Sequence, residues 1–521
     1  MNATSTPDAA TRVLVVGAGP VGLTAACALA ARGVAVHVVD TLTQPTTESR
    51  AVMLQSRTLE QLALLGVLPA LESRGSRMIA VEIYDGRTGT RRVRLPLTEV
   101  PSRHAYALDL PQTATEAVLA ARAEQLGVVI DRGVALAALT QDPDGVAVTL
   151  RSHDAERIGR YGWVVGADGG HSTVRDLVGT RLEGSFHGQH FALADVDVDI
   201  DPSMTPDTVR MFTHPDGMAI LFPLGGRRVR IMFQVDRPIG AAPTVAQIQD
   251  LADTRMGHLL TVHEDHWLSY FEIHHAQIPQ YRHGRVLLAG DAAHVHSPAA
   301  AQGMNTGIQD ATNLAWKLAL VAQGQAGPAL LDSYHDERHP VGAAVVRETT
   351  ALTAVGTATG PGAAVRNLAL FLVGHLHALQ EKAAATMAET AVHYRGSTLS
   401  GHGSHLHAGV YAPDPAGVSP SIEELLTGPG PLVLTSGEPD ALRTVLGDRG
   451  TVVRVVPDGT GPDTLVDPDG VIATAYGLAP DGVALIRPDG YLGFVSDTAD
   501  PEVLRHYLAD HLHLTEAAGV R

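Results

Sequence analysis

The sequence predicts an α/β protein of several domains: a Rossmann-like dinucleotide-binding domain, an antiparallel sheet inserted into it, and a further α/β domain towards the C-terminus. Three observations predict it. Gly17-Ala18-Gly19-Pro20-Val21-Gly22 follows the apolar run 13–16 and opens an Ala- and Leu-rich stretch. Two more apolar runs, far along the chain, end in Gly166-Ala167-Asp168-Gly169 and in Gly290-Asp291-Ala292-Ala293-His294. Between 397 and 420 the composition shifts to Gly, Ser, His and Pro before strand-like runs resume. A length of 521 residues exceeds what one simple core organises, so two or three domains are expected.

Residues 13–16 are apolar, mostly β-branched and stopped by glycine, which reads as a buried parallel strand. Residues 20–31 read as a helix that Gly33 ends, and 34–39 as a second strand closed by Asp40, giving one βαβ unit. Residues 81–84 and 91–97 read as strands joined by a Gly-containing turn, leaving the nucleotide domain for a separate sheet. A helix is expected over 113–125, and strands over 128–130 and 146–150. From 183 to 278 short alternating strands, among them 219–223 and 228–234, predict an antiparallel sheet forming one wall of a substrate cavity. Residues 286–288 are again a buried strand. Residues 308–321 and 328–338 read as helices, with Pro328 suited to a first helical position. Residues 349–391 read as mostly helix, broken near Gly360. Strands over 431–435, 452–456 and 483–487 and a closing helix over 501–511 make the last domain. The expected division is 1–75, 100–182 and 280–345 for the dinucleotide-binding domain and 76–99 with 183–279 for the inserted one. A helical segment (346–396), a linker (397–410) and the last domain (411–521) follow.

The motifs define the ligand. Gly17 permits the tight turn, Gly19 lets a pyrophosphate approach the backbone, and Gly22 lets helix and sheet pack closely. The helix N-terminus then stabilises the diphosphate charge. Asp40 is placed for the ribose hydroxyls, which favours an unphosphorylated ribose and so FAD or NAD as the tightly bound nucleotide. A plain NAD dehydrogenase has no use for the two later strand-ending motifs, so they select FAD. Asp168 is expected to fix backbone near the pyrophosphate or ribose, with Arg175 adding charge. Asp291 suits the ribityl hydroxyls. The run Gln302-Gly303-Met304-Asn305-Thr306-Gly307 opens a helix whose amides and dipole would face the pyrimidine edge of the flavin and stabilise its reduced, negatively charged form.

Composition narrows the alternatives. A net charge of −18, from 38 basic and 56 acidic residues, argues against nucleic acid or an anionic membrane as the main partner. The single cysteine, Cys27, reads as a packing residue, excludes an internal disulfide, and makes a reducing cytoplasm the natural setting. No secretory leader is expected from the polar first twelve residues, and no other apolar run approaches the ~20 residues of a membrane span. The 26 histidines show no metal-ligand spacing, and Gly-x-Ser-x-Gly and P-loop patterns are absent.

With these motifs in place the chain resembles the single-component FAD-dependent aromatic monooxygenases of the para-hydroxybenzoate hydroxylase fold, in the aromatic-polyketide hydroxylase branch that carries a C-terminal thioredoxin-like domain. Beyond the glycine motifs the resemblance rests on Glu48-Ser49-Arg50-Ala51, Arg57-Thr58-Leu59-Glu60, Leu110-Pro111-Gln112 with Glu116, Tyr281 to Arg285, Gln302 to Gln309, and Tyr394 to Ser397. It implies that Arg50 lies near the cofactor and Gln112 against the flavin's linker. It implies hydride transfer from transiently bound NADH or NADPH to FAD, capture of O2 as a flavin C4a-hydroperoxide, and oxygen transfer to an electron-rich phenolic ring. Baeyer–Villiger oxygenation of a ketone, flavin-dependent dehydrogenation and a non-catalytic flavoprotein are the alternative readings. Ala300-Ala301 stand where the family has two glycines, which bears on flavin seating. The last domain has no cysteine for disulfide exchange, so packing or assembly is its expected role, and a homodimer is left open. No catalytic side chain is assigned; Met211 and His214 are candidates for lining the substrate cavity.

Overall fold

The computed structural model describes residues 12–49, 51–296, 302–356, 361–401, 406–428, 430–461 and 463–514. Arg50 and Ala300-Ala301 therefore lie outside the described residues. Val13–Val16 is wholly buried and sits in a six-stranded sheet, between Trp163–Gly166 and Val36–Asp40. Val129–Arg132 lies beyond Val36–Asp40, and Val286–Leu288 beyond Trp163–Gly166; these five strands are mutually parallel, and the short Arg282–His283 closes the edge antiparallel. The in-register pairing of Val16 with Gly166, and of Gly166 with Leu288, brings the ends of all three motif strands to one edge of the sheet. That is where an open parallel sheet binds ligands. The helix Pro20–Ala30 is apolar nearly all round because it is covered all round, by Gln112–Gln125 on one side and Gly303–Ala322 on the other.

The inserted sheet has eight strands, and its strands differ from the expected short ones: Glu183–Ile200 and Leu260–Gln277 are each 18 residues long and pair with each other through three register shifts. Bulges bend such strands, which is how long ones can follow a twisted sheet. Alternation sorts the side chains. One face gathers Phe191, Ile220, Phe222 and Met232; the opposite face gathers Phe212, Leu221, Ile231 and Phe233 under the helix Val245–Met256. That helix was not foreseen in the sequence, although its Thr244/Gln247 capping box is a readable start signal.

Towards the C-terminus a mixed five-stranded sheet runs Thr464–Val466, Thr451–Val456, Leu432–Thr435, Val483–Ile486, Leu492–Ser496, the first three parallel and the last two antiparallel. Its core is not closed on itself: Trp316 and Leu330, from the elements that follow the third motif, pack with Val433, Leu485 and Phe494. No helix among the described residues is long and apolar enough to cross a membrane.

Candidate active site

The glycine loop is shaped by what lies behind it. Gly17 has φ +107°, and a Cβ there would lie 2.3 Å from the carbonyl oxygen of Ala167, in the second motif. A Cβ on Gly22 would lie 2.0 Å from the Gly17 carbonyl oxygen. Around Gly19, in contrast, the same position has no heavy atom within 4 Å. Gly17 and Gly22 thus let turn, helix and neighbouring strand close up, while Gly19 leaves the backbone open to a ligand at the start of the helix. Asp40 holds the same loop: its carboxylate accepts the Ala18 amide at 2.6 Å and the Leu42 amide at 2.8 Å, with lone pairs left over for ligand hydroxyls.

In the second motif Asp168 accepts the Val174 amide at 3.0 Å and the Ser172 hydroxyl at 2.5 Å, fixing the turn into the helix Thr173–Leu177. Burial pushes its carboxyl above the usual carboxylate range, against the pull of these donors. Arg175 corrects its expected role. Its guanidinium donates to the carbonyl oxygens of Gly170 and Ala292, so it ties the second motif to the third instead of offering free charge to a diphosphate.

The third motif is anchored from beneath. Gly290, at φ +59°, donates its amide to Asp310 at 3.1 Å; His294 Nε2 and Arg338 Nε each lie 2.7 Å from the same carboxylate. All three side chains are fully buried. Burial alone would raise the Asp310 carboxyl, but Arg338 and His294 outweigh it and leave it below the usual range. Gly307 completes the fit, since a Cβ there would lie 2.6 Å from Val21 and 3.1 Å from the Gly290 Cα.

These elements line one cavity of about 560 Å³, within the size range of roughly 300–1,000 Å³ that holds small molecules and cofactors. Gly17, Gly19, Asp40, Gln112, Asp168, Asp291, Gly303 and Met304 all line it. Gln112 also fastens the preceding segment: its Oε1 accepts the Ala51 amide, its own amide donates to Ser49 Oγ, and its Nε2 donates to Glu116. Gly22 and Gly290 serve by close packing and do not line the cavity. Nor does Asn305: its side chain accepts the Gln55 amide and donates to the Met53 carbonyl, clipping the helix start to a neighbouring strand. Met211 packs at the margin of the apolar cluster of the inserted sheet, and His214 caps a surface turn beside Asp216; neither lines the cavity. The sheet's contribution is instead Phe222, Arg230 and Met232. Arg230 had a readable signal, a cation at an alternate position between the apolar residues of 229–233.

Strand-end glycines, an acidic residue after the second strand, and a cavity that takes in all three motifs and a helix N-terminus are the features of a dinucleotide-binding flavoprotein. The family model of the FAD binding domain matches residues 10–349, and the chain belongs to that family. It is 36% identical over 515 residues to the 6-methylpretetramide 4-monooxygenase of Streptomyces rimosus, across 92% of this chain and 90% of that one. Among solved structures it resembles the OxyS anhydrotetracycline hydroxylase of Streptomyces rimosus, with TM-score 0.79, 29% identity, and 96% of this chain and 99% of that one covered. It also resembles aklavinone-11 hydroxylase in its ternary complex with FAD and aklavinone, with TM-score 0.78, 27% identity, and coverage of 97% and 100%. The protein is an FAD-dependent flavoprotein monooxygenase of the single-component aromatic hydroxylase fold.

Proposed function

We propose that the enzyme places one oxygen atom of O2 on a polycyclic, phenolic, polyketide-like aromatic substrate, with NADH or NADPH as a transient reductant. The observation that carries this reading is continuity. The cavity that takes in Asp40, Gln112 and Asp291 also has Phe222 and Met232 of the inserted sheet in its wall. A flat apolar ring and a dinucleotide could therefore share one enclosure. The relatives named for 6-methylpretetramide and for 12-dehydrotetracycline and anhydrotetracycline support the substrate class.

The residues present fit FAD. Asp40 would hold the adenosine ribose. The open backbone at Gly19 and the N-terminus of Pro20–Ala30 would take the diphosphate. Asp291 would meet the ribityl chain, and the amides of Gly303 and Met304 the pyrimidine edge, where the helix dipole favours negative charge. Arg50 is assigned near the cofactor by resemblance. FAD, when bound, supplies the activation of dioxygen and the oxygen transferred. The protein's share is to orient the ring, which Phe222 and Met232 can do by packing, and to keep water out of the enclosure. We divide the chain as its sheets divide, with the eight-stranded sheet as substrate-binding unit and the C-terminal unit as a thioredoxin-like packing domain. The chain's single cysteine, Cys27 in the helix Pro20–Ala30, is buried and donates to the Leu119 carbonyl, which accords with a cytoplasmic setting.

The test is turnover with isotopically labelled dioxygen. NAD(P)H oxidation should rise on adding a phenolic polyketide, and the product should carry the label on a ring carbon. Label between a carbonyl carbon and its neighbour would instead mean Baeyer–Villiger chemistry, and unlabelled product would exclude oxygen insertion.

A further inference from the structure

One row of the inserted sheet breaks its apolar face. Cross-strand pairing sets Trp267 opposite Asp195, Asp195 opposite Arg230, and Arg230 opposite Phe222. Arg230 is completely buried and is gripped from one side: Asp195 accepts its Nε at 2.6 Å and its Nη2 at 2.9 Å, and the guanidinium lies 5.5 Å from the Trp267 ring centroid. Its Nη1 has no hydrogen-bond partner, yet Arg230 lines the cavity. A two-point clamp with the third nitrogen turned away is a fixed donor, since the planar fork leaves that nitrogen one direction to point.

A second orphan lies near it. Asp109 is completely buried and neither carboxylate oxygen has a hydrogen-bond partner. Alternation along Ala107–Asp109 sends Leu108 into the core of the dinucleotide-binding sheet, and Ala107 with Asp109 towards the apolar cluster of Phe222 and Met232. Burial raises the Asp109 carboxyl well above its ordinary value, opposed by the charge of Arg230. Unpaired donors and acids are expensive to bury. An orphaned donor in the cavity wall, next to Phe222 and Met232, and an orphaned acid near enough to feel its charge point to a polar atom brought by a ligand.

We propose that Arg230, with Asp109 beside it, forms a subsite for an acidic ring oxygen of the substrate, a phenolate or the enolate of a 1,3-dicarbonyl. The inference rests on the aromatic-substrate reading above and adds what the ring must carry. Arg230 Nη1 supplies the charge and Asp109, as the neutral acid, a second donor. An anionic oxygen also makes its ring more electron-rich, so the contact selects the ring form that accepts oxygen most readily.

The test uses the FAD-loaded, full-length protein, with flavin content measured first; failure of the unmodified protein to hold flavin would count against the functional reading and not against this subsite. Calorimetry then compares 2-hydroxy-1,4-naphthoquinone, an enolate at neutral pH, with its uncharged 2-methoxy analogue, in the absence of reductant. The unmodified protein should bind the enolate at least about tenfold more tightly. Arg230→Met should abolish that preference. Asp109→Leu, a substitution that fits an apolar neighbourhood, should reduce it severalfold, while Asp109→Asn, which keeps a donor, should retain most of it. Arg230→Lys covers the case in which Asp195, left with only the more distant Arg228 at 3.6 Å by methionine, prevents folding, and should keep a weakened preference. Equal affinity for the two probes, no binding of either, or a preference unchanged in Arg230→Met or Asp109→Leu would overturn the proposal. So would a variant that alters FAD affinity or the flavin spectrum with no quinone present, which would assign Arg230 to the flavin.

Discussion

The cofactor cavity and the seam under the C-terminal sheet use polar groups in opposite ways. Along the seam every charge is answered. Glu337 accepts from Lys317, Asn313, Ser397 and both terminal nitrogens of Arg487, and Arg487 also donates to Asp489, which takes the Trp316 indole and Asn313 as well. Lys317, Glu337 and Arg487 are completely buried. At the cavity some groups are left open: Gly19 has no heavy atom where a side chain would stand, Asp40 has capacity to spare, and Arg230 in the wall and Asp109 near it keep orphaned atoms. A saturated network holds parts together; an unsaturated one waits for a ligand. Both meet on one element, since Gly303–Ala322 lines the cavity with its first turn and enters the seam with Asn313, Trp316 and Lys317. The C-terminal unit thus braces the helix whose first turn lines the cavity.

The largest expected effect breaks the seam. Glu337→Leu leaves Lys317 and Arg487 without their shared carboxylate, and removing one partner of a buried ion pair costs about 3–5 kcal/mol. A fall of several degrees or more in Tm should be visible by calorimetry, with loss of bound FAD following from the shifted helix. If Tm is unchanged, the seam is not what holds the two units together.

Gly17→Ala attacks the cavity instead. Its methyl meets the Ala167 carbonyl at a positive φ, so the turn must open and FAD affinity should fall by at least about tenfold in equilibrium dialysis, with a smaller change in Tm. Asp40→Ala removes the acceptor of two loop amides and the proposed acceptor of the ribose; charge-assisted hydrogen bonds of about 1.5–3 kcal/mol imply a comparable or somewhat smaller loss of FAD affinity. Unaltered FAD binding in both would remove this loop from the cofactor site.

A pH effect separates the two regions further. Glu389, fully buried on the flank of Gly303–Ala322 and bonded to Gln309 and Thr306, is raised by burial from 4.5 to about 8, despite the nearby Arg338. The folded state therefore keeps this proton where the unfolded state has lost it. Its contribution is favourable at low pH and is lost as pH rises from about 4.5 to about 8. Glu389→Gln should flatten the decline in stability over this window and be the more stable protein at pH 8, by a few kcal/mol at most. Parallel pH profiles for the two proteins would refute the assignment. The smallest effect concerns Cys27. Burial pushes its thiol up to about 12, so a thiol reagent at neutral pH should label it only after unfolding.

The legibility of the sequence follows the same division. The cradle was readable because glycine at a crowded turn and an acid after a strand have few physical substitutes, and Gly17, Gly19, Asp40, Gln112 and Asp291 do come to one cavity. The inserted sheet was readable as alternation, but not as 18-residue strands, because bulges shift the period without changing composition. Asn305 and Arg175 were read as facing the ligand; their side chains also bond backbone, Asn305 at Gln55 and Met53 and Arg175 at Gly170 and Ala292, a use that residue type alone does not reveal. The seam was invisible: Glu337 and Arg487 are 150 positions apart, and a buried ion pair at that separation leaves no local pattern.

The most direct measurement is a crystal structure of the yellow, FAD-loaded enzyme. The adenosine ribose should lie against Asp40, the ribityl chain against Asp291, and the pyrimidine edge of the ring at the amides of Gly303 and Met304. Density for the cofactor outside this cavity, or with its two ends exchanged, would contradict the assignment of the site.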